Sequence, residues 1–376
     1  MKVVLSGGGT AGHINPALAL AESLQAAGHE VFYAGTPKGV EARLITLAGL
    51  PFKAFDAQGF DRSHPLTLVS GVAKISHSTG KAVKWFKEIK PDVVVVFGGY
   101  VCIPVGRAAT KLGIPLVVHE QNSIMGMAND YLSRHASVVA LTYENTKTPK
   151  GTISKGASTE VVVTGNPVRS AIFDSTRQEG RTLLGIPDDA LMLLVFGGSL
   201  GARHINTAIA NLKDELLAIP NLYVVHITGP KELETVKRQL NLTAEERKRY
   251  LVMGYQNQMG ETMAATDMVV SRAGATSLAE ISARCIPALL VPFPYATADH
   301  QTTNAQEYVH VGAAVMISDD QVGSEEFEQT LFSLLEHPEM REKMKQAAST
   351  FETPDAAGKL AAIVEEVGLS GSQSLQ

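Results

Sequence analysis

The chain opens with Val4-Leu5-Ser6-Gly7-Gly8-Gly9-Thr10-Ala11-Gly12, a short apolar run that passes directly into a glycine-rich turn. A similar stretch, Leu194-Val195-Phe196-Gly197-Gly198-Ser199-Leu200-Gly201-Ala202, occurs about halfway along. A strand, a glycine turn and a helix in that order form the repeating unit of parallel α/β folds. The repeat therefore predicts two similar α/β units.

Short β-branched runs alternate with helical patterns on both sides of this repeat. The predicted strands cover residues 3–6, 31–34, 93–97, 116–118, 138–141 and 161–164, then 192–196, 223–227, 251–253, 268–271, 288–291 and 314–317. Such nearly continuous apolar runs fit strands that are covered on both faces. We predict an α/β protein with two Rossmann-like parallel-sheet domains facing a cleft.

The domain boundary is predicted near the glycine- and proline-containing stretch 165–169. Residues 1–165 would form the first domain and residues 166–351 the second. A helix over about 352–368 would pack back on the first domain, and the small, polar residues 369–376 would form a disordered tail. For the first helix, Asn15 is the predicted N-cap, Pro16 lies in its first turn, and Gly28 marks its exit.

Composition excludes several classes of protein. The 376 residues are 45% hydrophobic and 19% charged, as in a globular protein with sizeable cores, and the net charge of −5 disfavours general nucleic-acid binding. Cys102 and Cys285, the two cysteines, lie among apolar neighbours and indicate core thiols.

The N-terminal apolar run is too short for a signal peptide, and no run is long enough to span a membrane. We expect a cytoplasmic protein.

The first glycine loop matches the dinucleotide-binding pattern G-x-G-x-x-G through Gly7, Gly9 and Gly12. That function also requires a carboxylate at the end of the second strand, and residues 33–36 contain none. We therefore predict no nicotinamide or flavin cofactor. The loop instead presents backbone N–H groups at a helix N-terminus, where an anion or a diphosphate can bind. His13 follows it directly and is a candidate general base.

Two further groups of polar residues follow predicted strands in the first half. Gly98-Gly99-Tyr100 follows the strand at 93–97, and His119-Glu120-Gln121-Asn122 follows the strand at 116–118. At the carboxyl edge of a parallel sheet they predict a polar pocket for hydroxyls, amides and a diphosphate. The alternative is a hydrogen-bonded structural corner. Glu120 competes with His13 for the role of general base.

The second half carries a matching set at its own strand ends. Residues 197–201 offer another N–H cradle, and the small residues 273–277 let a ligand approach the backbone. Glu280, about one turn into the next helix, is suited to both hydroxyls of a ribose, although a solvated glutamate remains the alternative. No Asp-x-Asp pair occurs, so we predict chemistry without a metal. Helix N-termini and Arg169 or Arg272 would then meet the charge of a departing diphosphate.

These motifs resemble, in order and over most of the chain, those of the MurG family of bacterial cell-wall glycosyltransferases. The resembling segments are 8–13 with Pro16, 98–100, 119–122, 165–169, 197–203, 272–275 with Glu280, and 300–305. The resemblance implies a GT-B fold and an inverting transfer of GlcNAc from UDP-GlcNAc to lipid I, which forms lipid II. No cofactor or metal is implied. Ala11 departs from the family pattern, in which glycine is frequent.

The resemblance also implies roles for individual residues. The donor-binding positions would be Thr10, Ala11, Gly12, Asn122, Arg169, Ser199, Ala275, Thr276, Ser277, Leu278, Ala279, Glu280 and Gln301, with Gln256 near the uracil. The acceptor diphosphate would contact Gly98, Gly99, Tyr100 and His119. The resemblance implies that the first domain, residues 1–165, faces the acceptor and the membrane, and that the second, residues 166–351, binds the UDP-sugar. The family acts at the inner face of the cell membrane, where other cell-wall synthesis proteins would be partners.

One segment of the first half has the composition of an interfacial surface. Its apolar and aromatic residues are Leu66, Leu68, Val69, Val72, Ile75, Trp85 and Phe86, and its lysines are Lys74, Lys81, Lys84 and Lys87. It predicts reversible attachment to an anionic membrane surface. The alternative is an ordinary amphipathic helix that packs on the core.

Three other functions fit the same donor fold. One is a glycosyltransferase that uses another lipid acceptor, such as a diacylglycerol. Another is a UDP-GlcNAc 2-epimerase, which needs no acceptor. The third is a nucleotide-sugar sensor without turnover.

Overall fold

The computed structural model describes residues 1–57, 66–148, 151, 153, 156, 158–198, 201–350 and 355–373. The chain divides into two compact units, Met1–Arg169 with Asp355–Gln376, and Ser170–Pro354. Each contains one parallel sheet with helices. This confirms the predicted class of two parallel-sheet α/β domains.

The first unit is built on a sheet that has seven strands in the described residues, in the order β3-β2-β1-β4-β5-β6-β7. Every neighbouring pair in it is parallel. Its elements up to Arg169 are β1 (Lys2–Ser6), α1 (Ala11–Ala26), β2 (Glu30–Gly35), α2 (Val40–Leu47), β3 (Phe52–Ala54), α3 (Leu66–Ile89), β4 (Val93–Val96), α4 (Cys102–Leu112), β5 (Leu116–Glu120), α5 (Met127–Ser133), β6 (Val138–Leu141) and β7 (Glu160–Val163).

The second unit has six parallel strands within the described ranges, in the order β10-β9-β8-β11-β12-β13. Its elements are α6 (Ser170–Asp174), α7 (Arg177–Leu184), β8 (Leu191–Phe196), α8 (Arg203–Asn211), α9 (Lys213–Ala218), β9 (Leu222–Ile227), α10 (Leu233–Leu240), β10 (Tyr250–Met253), α11 (Met259–Ala264), β11 (Met268–Ser271), α12 (Ala275–Ala283), β12 (Ala288–Leu290), α13 (His300–His310), β13 (Ala314–Met316), α14 (Glu325–Glu336) and α15 (Pro338–Ala348). A short 3-10 turn, Asp319–Gln321, follows β13.

All the predicted strands are present in these sheets, within one or two residues at their ends. Only β3 escaped prediction, because it is three residues long, lies at the sheet edge and exposes Lys53 and Ala54. Strand β1 shows why the other strands can be predicted from the sequence. Val3 and Leu5 enter the core on one face of the sheet, and Val4 enters the core on the other face. Burial on both faces requires the unbroken apolar runs seen in the sequence.

Each sheet has one position at which the strand order reverses direction. In the first unit it lies between β1 and β4, and in the second between β8 and β11. Ligands of doubly wound sheets bind beyond the carboxyl ends of the strands at this position. These four strands are followed by residues 7–10, 97–100 and 272–274 and by Gly197 and Gly198.

Helix α1 begins earlier than predicted. It starts at Ala11, with Thr10 as N-cap, so Asn15 does not cap it and Pro16 lies inside it. The helix thus begins directly at the end of the glycine loop, and His13 lies in its first turn. Its predicted buried residues, Ala17, Leu20, Ala21 and Leu24, are all in the core.

The last helix, α16 (Ala356–Gln373), belongs to the first unit, although it follows the second in sequence. Leu360, Ala361 and Val364 lie in the same core cluster as residues of α1. The helix continues to Gln373, past the predicted end at 368, and residues 374–376 lie outside the described residues.

Helix α3 corrects part of the predicted membrane surface. Ile75, Trp85 and Phe86 are buried, the two aromatic rings in a cluster with Phe55. They cannot enter a lipid interface, because they already stabilise the core. The side chains of Leu66, Leu68, Val69 and Val72 lie outside the described residues. Within the described parts of the chain, we find no helix with the length and hydropathy to cross a membrane.

Candidate active site

The two strand-end loops of the first unit pack backbone against backbone. The Gly8 N–H donates to the Gly98 carbonyl at 3.2 Å. Gly99 has φ +88°, and a Cβ atom placed there would lie 2.5 Å from the Gly8 carbonyl oxygen. Only glycine permits both this conformation and this approach. The predicted acceptor residues Gly98 and Gly99 therefore lie beside the first glycine loop.

His13 lies at the same contact. Its Nδ1 is 2.9 Å from the Gly8 carbonyl oxygen, which only accepts hydrogen bonds, so the imidazole carries its proton on Nδ1. Its Nε2 then holds a lone pair when the ring is neutral. A Cβ atom at Gly98 would lie 3.0 Å from Nε2, so this atom borders the Gly98 backbone. A half-buried imidazole with a fixed tautomer can accept a proton at Nε2.

The helix N-terminus next to His13 is open to a ligand. Thr10 is exposed, has extended backbone angles and makes no side-chain capping bond. Ala11 and Gly12 form the first turn of α1 and are half-buried. Tyr100, beyond Gly99, is 38% exposed. Helix-end N–H groups, a hydroxyl and a phenol are suited to an oxygen-rich ligand.

Glu41 is a residue of this region that sequence reasoning missed. It is fully buried in the first turn of α2 and accepts from Thr36 N at 3.0 Å, Thr36 Oγ1 at 2.5 Å and, at a longer 3.4 Å, Gly9 N. The carboxylate absent from the end of β2 is thus supplied by the following helix. Its oxygens hold the protein's own loop, so it is not placed to bind a ribose diol. A glutamate in a first helical turn is common, and no motif or spacing around Glu41 indicates these partners.

Glu120, the second candidate base, is buried and bound by four donors. Oε1 accepts from Asn122 N at 3.0 Å and Asn122 Nδ2 at 3.1 Å. Oε2 accepts from Gly126 N at 3.0 Å and Asn129 Nδ2 at 2.8 Å. Such a carboxylate stabilises the loop between β5 and α5, because both of its oxygens already accept hydrogen bonds from that loop and from α5. Asn129 is the second residue that sequence reasoning missed, since no motif includes it.

His119 is not placed to bind the acceptor diphosphate, which corrects the prediction. It is fully buried against Phe97, and Gln121 Nε2 donates to its Nδ1 at 3.0 Å. Its Nε2–H therefore donates to the Gly165 carbonyl at 3.0 Å, next to the end of β7. Burial lowers the pKa of His119 to about 4, so the ring is neutral near pH 7. It joins two strand ends and presents no positive charge.

In the second unit, the predicted donor loop opens helix α12. Gly274 is its N-cap, and Ala275, Thr276 and Ser277 form its first turn. Leu278 and Ala279 are buried, and Leu278 N already donates to Gly274 O at 3.0 Å. Their side chains pack in the protein, and the contact of these two residues with the donor stays a prediction. The first turn is the part of this segment suited to an anion.

Glu280 lies in the second turn of α12 and is 9% exposed. Thr276 and Ser277 precede it by four and three residues, so all three share one helix face. Helical side chains lean towards the N-terminus, which directs the Glu280 carboxylate towards the start of α12. This geometry suits a diol bound beyond the strand ends.

Gln301 connects two strand-end loops. Its Oε1 accepts from Ala273 N at 3.2 Å and Phe293 N at 3.0 Å. Because the oxygen is committed to the protein, the amide nitrogen is the group that can serve a ligand. The buried Asn304, one turn further along α13, donates to Ala273 O at 3.4 Å.

The remaining predicted residues have definite places. Arg169 Nε lies 2.9 Å from Glu22 Oε1 of α1, and Arg272 Nη1 lies 2.6 Å from Asp319 Oδ1. Both arginines thus pair with carboxylates in this structure, and their role as counter-charges for a departing diphosphate stays a prediction. Gln256, half-buried after β10, accepts from Gln258 N at 3.0 Å. Ser199 lies outside the described residues. Among those described, no cluster of three or more His, Cys, Asp or Glu side chains could hold a metal.

Two doubly wound parallel sheets, each with a glycine-rich loop at the point where its strand order reverses, define a GT-B type of glycosyltransferase fold. The chain matches the "Glycosyltransferase family 28 N-terminal domain" over residues 3–141 and the "Glycosyltransferase family 28 C-terminal domain" over residues 192–360. Two solved structures at 15–16% identity, the *S. aureus* MnaA–UDP complex and a *Listeria monocytogenes* putative UDP-N-acetylglucosamine 2-epimerase, share the fold with TM-scores of 0.66 and 0.69.

Full-length relatives narrow the class further. A *Halalkalibacterium halodurans* UDP-N-acetylglucosamine–N-acetylmuramyl-(pentapeptide) pyrophosphoryl-undecaprenol N-acetylglucosamine transferase is 37% identical, over 98% of this chain and 99% of its own. The *Bacillus subtilis* protein of the same name is 35% identical over the same shares. The crystal structure of *Acinetobacter baumannii* MurG, at 30% identity and a TM-score of 0.72, covers 97% of this chain and 99% of that one. The chain belongs to this MurG family of N-acetylglucosamine transferases.

Proposed function

We propose that this protein transfers N-acetylglucosamine from UDP-N-acetylglucosamine to lipid I, undecaprenyl-diphosphoryl-MurNAc-pentapeptide, and so forms lipid II for peptidoglycan synthesis. The observation that carries the proposal is identity of 35–39% to the named transferases over nearly the whole of both chains. The strand-end loops of both sheets supply the chemistry that such a reaction needs.

The transfer is an inverting displacement at the anomeric carbon. The acceptor hydroxyl oxygen attacks C1 of GlcNAc from the face opposite UDP, the bond from C1 to the diphosphate oxygen breaks, and UDP leaves with the electron pair. The hydroxyl proton passes to His13 Nε2. The fixed tautomer of His13 and its position beside Gly98 support this role. The four donors on Glu120 favour a positioning role for that carboxylate rather than the role of base.

The first unit would bind the acceptor. Gly98, Gly99 and Tyr100, with the N–H groups at the start of α1, are the groups that suit its diphosphate. The close packing of the two glycine loops supports this assignment, because it keeps bulky side chains away from the helix N-terminus.

The second unit would bind the donor. The first turn of α12 would receive the diphosphate, Glu280 the ribose hydroxyls, Gln301 Nε2 the sugar, and the region of Gln256 the uracil. The shared face of Thr276, Ser277 and Glu280 supports the ribose assignment. Because Arg272 is paired with Asp319, the partial positive charge at the helix N-termini would provide more of the stabilisation of the negative charge that develops on the leaving UDP.

Attachment to the inner face of the cell membrane would be electrostatic. Lys74, Lys81 and Lys84 are exposed and follow each other at spacings of seven and three, so they form one stripe along α3. Such a stripe is attracted to anionic lipid head groups. The rings of Trp85 and Phe86 are buried and would not insert into the lipid.

A product assay tests the function. The protein is incubated with radiolabelled UDP-GlcNAc, with and without lipid I, and both the lipid and the water-soluble products are identified. We expect label in lipid II and release of UDP only when lipid I is present. Label in N-acetylmannosamine without acceptor would instead indicate an epimerase. Transfer to diacylglycerol but not to lipid I would indicate another lipid acceptor, and binding without turnover would indicate a sensor.

A further inference from the structure

A buried carboxylate outside every motif lies at the carboxyl edge of the second sheet. Asp319 opens the 3-10 turn that follows β13, and it is 9% exposed. One oxygen, Oδ1, lies 2.6 Å from Nη1 of Arg272. The other, Oδ2, lies 2.7 Å from Nδ1 of His204. Asp319 therefore connects two residues that are far apart in sequence.

Arg272 and His204 belong to the two strand ends that flank the reversal in strand order. Arg272 directly follows β11 and precedes the N-cap of α12, whereas His204 lies in the first turn of α8, beyond the glycine loop that follows β8. Strands β8 and β11 are neighbours, but β13 is two positions beyond β11. Asp319 thus reaches along the sheet edge and holds the starts of α8 and α12 in one arrangement.

The Arg272 guanidinium extends this connection to β12. Its Nη1 forms an ion pair with Asp319 and donates hydrogen bonds to Val291 O at 3.2 Å and Pro292 O at 3.0 Å, and its Cζ lies 5.5 Å from the centroid of the Phe293 ring. Three loops at the carboxyl edge therefore converge on one side chain, and Asp319 supplies its counter-charge. A buried arginine that loses the carboxylate paired with it becomes an uncompensated charge, and the surrounding loops must rearrange.

We propose that Asp319 is a positioning residue for donor binding, which sets the helix N-termini of α8 and α12 relative to each other through Arg272 and His204. The inference rests on the proposed function, because it assumes that these helix ends receive the donor diphosphate. Asp319 touches no substrate itself. Its action is on affinity for the nucleotide rather than on the proton transfer.

The test compares Asp319→Ala with a matched variant at the opposite, amino-terminal edge of the same sheet. Asp267 precedes β11 and is bound by Arg181 Nη2 at 2.7 Å, Arg177 Nη1 at 2.8 Å and the Met192 N–H at 2.8 Å. Asp267→Ala removes a comparable ion-pair network without touching the carboxyl edge. Both variants are expected to lower Tm. Only Asp319→Ala is expected to raise the UDP-GlcNAc KM and the Kd for UDP, by about tenfold or more, with kcat within a factor of about three.

Variants of His204 provide a second test, in which a smaller change in donor KM is expected. It is 63% exposed, so His204→Ala should raise the donor KM by only a few-fold. His204→Asn, whose Nδ2 lies near the position of Nδ1, should restore the parent value. Equal donor KM values in Asp319→Ala and Asp267→Ala would overturn the inference. So would a lower donor KM in Asp319→Ala, because Arg272 would then bind the diphosphate better once released. UDP binding by calorimetry tests the inference even if the parent protein fails to make lipid II, so the two failures are distinguishable.

Discussion

His13 Nδ1 lies 2.9 Å from the carbonyl oxygen of Gly8, and this bond determines which nitrogen of the ring can act as a base. The carbonyl belongs to the glycine loop that also receives the backbone of Gly99. Loop geometry and tautomer are therefore coupled. A displacement of the loop would release Nδ1 and remove the preference for a lone pair on Nε2.

His13→Asn separates the two functions of the ring. The Asn side-chain N–H can still donate to Gly8, but nothing replaces Nε2. We expect kcat to fall by about 10²–10⁴, as for loss of a general base, with donor KM little changed and the acidic limb of the pH–rate profile lost. Steady-state kinetics with both substrates varied provide the measurement. A loss confined to acceptor KM would make His13 a diphosphate-binding residue instead.

Glu120→Gln tests the competing base. The new amide places an N–H group against one of the N–H donors of Asn122, Gly126 or Asn129. Unsatisfied buried donors cost about 1–3 kcal/mol each, so we expect a lower Tm. If the role of Glu120 is structural, the variant keeps the acidic limb of the pH–rate profile. Normal kcat in His13→Asn, together with abolished kcat in Glu120→Gln at full folding, would assign the base to Glu120.

Glu280→Gln keeps the shape of the side chain and removes its charge. Hydrogen bonds to a charged group contribute about 1.5–3 kcal/mol, so the donor KM should rise at least about tenfold while Tm stays near that of the parent. Glu336→Gln, at an exposed position of α14, is the matched control. An unchanged donor KM in Glu280→Gln would exclude the ribose role.

The sequence was sufficient for the strands and the glycine loops, because each depends on neighbours along the chain. Val93–Val96 must be covered on both faces, and Gly99 must allow a positive φ, so both are visible in local composition. Glu41, Asn129 and Asp319 are different. Each has its effect through residues on other elements, and a lone carboxylate or amide in a helix or turn gives no signal of such partners.

The errors have the same physical origin. The position of His119 at a strand end favours a ligand-binding role, but its burial and its partner on a distant segment decide what it binds. The aromatic pair Trp85 and Phe86 fits a membrane interface by composition alone. Packing against Phe55 buries that face of α3, and only the tertiary structure determines which face is covered.

The lysine stripe on α3 makes membrane binding dependent on salt. Each lysine near an anionic surface contributes about 1 kcal/mol, and reversing two of them should weaken partitioning at least about 30-fold at low salt. We expect this of Lys81→Glu with Lys84→Glu in sedimentation with phosphatidylglycerol vesicles, and weaker binding of the parent as salt rises. Lys343→Glu with Lys345→Glu makes the same change of charge on α15 of the second unit and is the control. Equal binding by both double variants would locate the contact elsewhere.

Two buried histidines should make the protein sensitive to acid. The ring of His226 is hydrogen-bonded on both sides, from Nδ1 to the Tyr250 hydroxyl and from Nε2 to Asn206 Oδ1, at 3.0 Å each. Burial lowers the pKa of His226 to about 3 and that of His119 to about 4. Both pKa values lie below 6.5, the ordinary value for histidine. Between the folded pKa of each histidine and about pH 6.5, the unfolded chain therefore binds more protons than the folded one. Stability is therefore complete above about pH 6.5 and falls as the pH drops, by about 1.4 kcal/mol per pH unit for each histidine.

His226→Gln should be less stable than the parent at pH 8, because it loses buried hydrogen bonds, yet its stability should fall less steeply with acid. We expect the slope of the unfolding free energy between pH 6 and pH 5 to decrease by about 1.4 kcal/mol per unit. Urea unfolding at closely spaced pH values measures this slope independently of the absolute stability. His310→Gln, which removes an exposed histidine of α13 instead of a buried one, is the matched control. If both variants kept the parent slope, neutral burial of His226 would not be the source of the acid sensitivity.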